Sequence, residues 1–135
     1  MAREKKIIDA SVIVKWFQSE PDSEKALQLR TMHLQEEMLL IIPDLALIEV
    51  VNVLRYKKWA AEEMRTAIDS LFGLQLHIEK VNAFLLERAM HLAIKYNLSV
   101  YDALYVAVAH NFGVPLITAD KALSKVPNVI LLSSL

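Results

Sequence analysis

At 135 residues, 55% hydrophobic and 23% charged, the chain can bury one core and is expected to form a single domain over residues 1–135. Its net charge of −1 excludes the strongly basic balance of a dedicated nucleic-acid binder, so any phosphate must be held by another device. The absence of cysteine excludes thiolate zinc sites, and His33, His77, His91 and His110 show no paired spacing, so a metal site would be built from oxygen, which favours Mg²⁺ or Mn²⁺ over zinc.

Short β-like runs alternate with longer helical ones, which predicts a parallel sheet with helices on both faces. The basic opening Met1–Lys6 leads into a first strand, Lys6–Ile8. Asp9 and Lys15 interrupt the apolar stretch there and no small-residue cleavage site follows, so it is not read as a signal peptide. A short helix, Val12–Gln18, comes next. In the helix Ser23–Glu37, Ala26, Leu27, Arg30, Leu34 and Met38 fall near one face. The strand Leu39–Ile42 precedes a long, mostly apolar helix, Leu45–Trp59, and another helix, Ala61–Phe72. The run Leu76–Glu79 alternates polar and apolar residues as an edge strand does. Ala83–Tyr96 carries a helical stripe of Phe84, Leu85, Ala89, Leu92 and Ala93. The last long helix, Val100–Phe112, stops at Gly113 with Pro115 beyond it. Leu116–Thr118 and Val129–Leu131 complete five strands. No run approaches the ~20 apolar residues of a membrane span, and a soluble, cytoplasmic protein is expected.

In an open parallel sheet, sites form outside the carboxyl ends of the strands. Asp9 follows the first strand and Asp120 the strand Leu116–Thr118. Glu49 lies about one turn into the helix after the second strand. Asp102 opens the helix that must return to the start of the fourth strand, so it too belongs at the carboxyl edge. Glu49 and Asp102 sit in helices that are apolar almost all round, and such helices are normally buried. A buried carboxylate is costly unless it is paired or binds metal. Clustered acids repel one another, and divalent cations remove that repulsion, activate water and stabilise charge on a phosphoryl group. Each acid also has a structural reading. Asp9 can cap the following helix, Ser99-Val-Tyr-Asp102 matches a capping box, Thr118 or Asp120 can cap the turn Lys121–Ser124, and Glu49 can pair with a distant base.

The stretches Ile8-Asp9-Ala-Ser11, Glu49-Val-Val-Asn52, Val100-Tyr-Asp102-Ala-Leu-Tyr105 and Pro115-Leu-Ile-Thr118-Ala-Asp120 occur in one order across nearly the whole chain. In this ordered set the chain resembles the PIN domain family, and within it the VapC-type toxin ribonucleases. The resemblance implies a three-layer α/β/α sandwich around a central, mainly parallel five-stranded sheet. It implies a Mg²⁺- or Mn²⁺-dependent endoribonuclease with Asp9, Glu49, Asp102 and Asp120 as the metal-binding acids. Ser11 and Thr118 would orient carboxylates or water, and Asn52 would support Glu49. Hydrolysis would proceed without a covalent enzyme intermediate. An RNA substrate, a homodimer and a small antitoxin covering the acidic groove are also implied. Some members carry another acid just after the last aspartate, where this chain has Lys121, Ala122 and Leu123.

Two other classes use similar placements. A haloacid-dehalogenase-type phosphatase needs Asp-x-Asp after the first strand, and this chain has Asp9-Ala-Ser11. A signalling receiver domain needs a phospho-accepting aspartate after a middle strand, and the third strand here ends Ile78-Glu79-Lys80. A PIN fold acting only as an interaction module is the third alternative. Among the cations, Lys15, Arg55 and Lys121 are candidates to steer RNA phosphates, and Trp16 and Phe17 can stack on bases or pack in the core.

Overall fold

A computed structural model describes residues 3–135 of the protein; Met1 and Ala2, at the start of the basic opening stretch, lie outside the described residues. Five strands, β1 (Glu4–Ile8), β2 (Met38–Pro43), β3 (His77–Glu79), β4 (Leu116–Thr118) and β5 (Val129–Leu131), form one sheet in the order β3-β2-β1-β4-β5, every neighbouring pair parallel. The connections carry six α-helices: α1 (Ala10–Val14), α2 (Ser23–Leu34), α3 (Leu45–Tyr56), α4 (Ala61–Gly73), α5 (Ala83–Tyr96) and α6 (Val100–Phe112). A 3₁₀ turn, Lys121–Lys125, links β4 to β5.

From β1 to β3 the chain moves one way across the sheet, then returns past β1 to place β4 on its far side. Parallel crossovers share one hand, so this reversal puts α5 and α6 on the face opposite the earlier helices, giving a three-layer α/β/α sandwich. The two helices between β3 and β4 form a hairpin in which α5 packs on α6, and α6 packs on β1, β2 and β4. The reversal also leaves a crevice between the carboxyl ends of β1 and β4, the place where ligands of such sheets bind.

Residue chemistry accounts for the elements. Ile7, Ile8, Leu40, Ile41, Ile42, Leu116 and Ile117 fill the sheet and are buried on both faces, as central parallel strands must be. β3 is an edge strand, in keeping with its alternating sequence. The Asn82 side chain caps α5 by accepting from Leu85 N, and the Ser99 side chain caps α6 by accepting from Asp102 N. Gly113 ends α6 with φ +65°, a left-handed conformation that favours glycine.

Some expectations change, among them the first helix, expected over Val12–Gln18 and found at Ala10–Val14, where Asp9 caps it. In α2 the buried stripe is Ala26, Leu29 and His33, while Leu34 is exposed. His33 can replace a leucine inside because both its ring nitrogens meet backbone partners, Leu40 N at 3.2 Å and Leu74 O at 2.8 Å. Of the two apolar acid-bearing helices, only α6 is buried all round, with every residue from Ala103 to Ala109 inside; α3 buries Ala46, Val50 and Leu54 and leaves Ile48 70% exposed. Position in the layers makes the difference, because α6 lies between α5 and the sheet whereas α3 has an outer side.

Candidate active site

Asp9 is the first residue beyond β1, and its backbone N–H reaches across to Ile117 O on β4. Its carboxylate is held at both oxygens. Ser11 Oγ donates to Oδ1 and Thr118 Oγ1 to Oδ2, each at 2.5 Å, and Val12 N caps α1 on Oδ1. The hydroxyls are themselves oriented, since Ser11 Oγ accepts from Ala119 N and Thr118 Oγ1 accepts from Asp120 N, both at 3.0 Å. Ser11 and Thr118 thus bind the end of β1, the start of α1 and the turn after β4 into one unit. Asp120 caps the 3₁₀ turn through Ala122 N at 2.9 Å. The capping readings of Asp9 and Asp120 therefore hold.

Glu49 approaches from α3 and Asp102 from the first turn of α6. Glu49 Oε1 accepts from the Tyr105 hydroxyl at 2.5 Å, and Tyr105 is itself buried. Asn52, one turn beyond Glu49, lies instead in an apolar groove of about 520 Å³ between α3 and α4, with Ile48, Val51, Met64 and Phe72. The residue that holds Glu49 is thus Tyr105, which lies one turn after Asp102 and so on the same helix face. Ser11, Glu49 and Asp120 share a separate cleft of about 330 Å³, whose wall also includes Lys15 and Glu20.

Burial lifts the Asp9 carboxyl to about 6, against the lowering effect of its three hydrogen-bond donors, and the charge of Asp102 adds to the rise. Burial also raises Glu49 and Asp102; Asp102 repels Glu49, and Asp120 repels Asp102. The Tyr105 hydroxyl is pushed up by burial, then by its bond to Glu49, and stays a neutral donor. None of the four acids has a salt-bridge partner among the described residues. Nor do three acidic or histidine side chains, among the described residues, converge into a ready-made cage. Carboxylate oxygens without a salt-bridge partner are the donor type that suits a hard divalent cation.

Residues 6–129, from β1 to the start of β5, match the family model described as PIN domain. The chain belongs to the PIN domain family. Ribonuclease VapC3 of Pyrobaculum aerophilum is 32% identical over 127 residues, covering 90% of this PIN chain and 93% of that relative. Among solved structures, Mycobacterium tuberculosis VapC20, a sarcin–ricin loop cleaving toxin, has TM-score 0.74 at 18% identity, covering 92% of this chain and 96% of that one. A toxin–antitoxin complex from Klebsiella pneumoniae contains a chain with TM-score 0.72 at 20% identity, covering 94% and 97% respectively. At these identities the solved structures speak for the PIN fold.

Other sequence candidates fall elsewhere. Trp16 is a core residue, 7% exposed, with its indole N–H on Ala26 O at 2.8 Å. Phe17 packs partly buried against the core, and Arg55 lies in the α3–α4 groove. No helix is long and apolar enough to cross a membrane among the described residues.

Proposed function

We propose that the protein is a Mg²⁺- or Mn²⁺-dependent endoribonuclease of the VapC type, acting in the cytoplasm as the toxin of a toxin–antitoxin pair. The observation that carries this reading is a buried carboxylate, Asp9, held by Ser11 and Thr118 at the sheet's switch point, raised to about 6 by burial with the charge of Asp102 adding to the rise, and paired with no cationic side chain among the described residues. The similarity to Ribonuclease VapC3 supports the RNA substrate.

Asp9, Glu49, Asp102 and Asp120 would hold the metal. When bound, it supplies an activated water and stabilises the charge that develops on the phosphoryl group. The chain's own residues set the geometry. Ser11 and Thr118 fix both oxygens of Asp9, so that its carboxylate does not need to reorganise when a cation arrives. Tyr105 orients Glu49, and the Ser99 cap fixes the start of α6 from which Asp102 projects.

A small antitoxin covering the acidic groove is in keeping with the Klebsiella pneumoniae complex. A homodimer is supported by Leu86, Met90 and Ile94, which form an exposed apolar stripe at four-residue spacing on α5.

The test is cleavage of a mixed-sequence single-stranded RNA with Mg²⁺, with Mn²⁺ and with EDTA, beside Asp9→Ala. Metal-dependent cutting that the variant loses is expected, together with a melting temperature that rises with Mg²⁺ because metal binds only the folded site. No cutting and no thermal shift would mean that the acids are structural; a thermal shift without cutting on any RNA would favour an interaction module.

A further inference from the structure

Two lysines flank Glu20, a residue of the acidic cleft's wall, outside the four acids described above. Lys15, just after α1, lines the cleft with Ser11, Glu49 and Asp120, and its side chain is only 10% exposed. Its ammonium donates to Glu20 Oε1 at 3.3 Å and to Pro21 O at 2.7 Å. Lys57, just after α3, donates to the other oxygen, Glu20 Oε2, at 2.9 Å. Glu20 thus joins two ammonium groups from separate elements, and its own pKa is lowered by them, Lys57 foremost. An ammonium carries three donors. Lys15 spends two of them here and Lys57 one, so the pair keeps N–H groups for a further acceptor.

An ion network at the protein surface usually contributes little to stability. This one borders a cleft whose charged lining is otherwise Glu49 and Asp120, a wall that repels a polyanion. We propose that Lys15 and Lys57, bridged by Glu20, form a phosphate-binding site that takes a backbone phosphate of single-stranded RNA next to the bond to be cut. The proposal rests on the ribonuclease reading above. Glu20 is the positioning residue. It holds the two cations together against their mutual repulsion, which reduces the side-chain ordering that RNA binding must otherwise impose. Lys121, exposed on the 3₁₀ turn, has no such brace among the described residues.

The experiment is steady-state cleavage of a single-stranded oligoribonucleotide in Mg²⁺ across a range of salt. Lys57→Ala and Lys15→Met, which keeps the buried stem, are compared with Lys5→Ala at the opposite end of β1. Each of the first two is expected to raise KM about three- to tenfold with kcat within about twofold, and to flatten the dependence of log KM on log salt by about 0.7. Lys5→Ala should match the parent. Parental KM and salt slope in both variants would overturn the proposal, and so would a loss confined to kcat or to melting temperature, the mark of a purely structural network. A parent protein that cuts no RNA would overturn the ribonuclease reading itself and the phosphate site with it.

Discussion

His33 and Asp9 are equally hidden, each 5% exposed, yet their surroundings have opposite consequences. His33 sits in the seam between α2, β2 and the turn before β3. A neutral ring with its proton on Nε2 satisfies Leu40 N–H and Leu74 C=O at once and leaves nothing unpaired. Asp9 is better supplied with hydrogen bonds, having three donors, but they satisfy its oxygens without cancelling its charge. Its charged neighbours carry the same sign. Hydrogen bonding suffices for a buried neutral group; a buried anion among anions also needs a cation. One region is a finished joint, and the other holds a charge that its hydrogen bonds do not cancel.

The largest effect should come from Asp102→Asn, at the centre of the repulsion. Cleavage should fall at least about a hundredfold, while the metal-free protein melts a few degrees higher because like-charge repulsion is relieved. Parental cleavage by this variant would erase the distinction between the two regions. His33→Leu should do the reverse. It strands a buried N–H and a buried C=O and should cost about 2–4 kcal/mol in denaturant unfolding, with cleavage by the folded fraction unchanged. An unchanged unfolding midpoint would show that the seam does not depend on the histidine.

The pH dependence separates the regions further. Asp9 has its folded pKa raised from 3.8 to about 6, so the folded state holds the proton more tightly than the unfolded chain. Stability from this group is full below pH 3.8, declines as pH rises through about 6, and has fallen by about 3 kcal/mol above that. Glu49 and Asp102 act in the same direction. Glu20, with its pKa lowered, acts in the opposite direction and at lower pH, losing stability as pH falls through its folded value. Metal-free protein should therefore lose stability between about pH 4 and 7, and Asp9→Asn should lose less. A flat profile in EDTA would remove the electrostatic account of the crevice. The smallest effect is expected from Tyr105→Phe, which removes the donor to Glu49 and should slow cleavage about tenfold with little change in KM.

Local patterns in the sequence were enough to define the order and type of the elements. The strands Leu116–Thr118 and Val129–Leu131 and the helices Ala83–Tyr96 and Val100–Phe112 lie where composition, caps and Gly113 put them. Helix ends without glycine were harder to read. α2 stops at Leu34 and α3 at Tyr56, each followed by a left-handed non-glycine residue, Glu36 and Lys58. Those ends are set by long-range needs, since Met38 must enter β2 and Trp59 must pack on the core.

For the site, position after a strand sufficed to place Asp9 and Asp120, because the carboxyl edge of a parallel sheet is implied by the alternation of elements. Partners across the fold carry no such local signal. That Tyr105 would hold Glu49, that Asn52 would lie in the α3–α4 groove, and that Glu20 would bridge Lys15 and Lys57 depends on how α3 is rotated against α1 and α6. Sequence by itself determined which segments fold and which acids lie at the sheet's edge, because periodicity and caps act within a few residues. Tertiary structure alone decided which side chain meets which, because packing sets the rotation of each helix and lies outside any single segment's pattern.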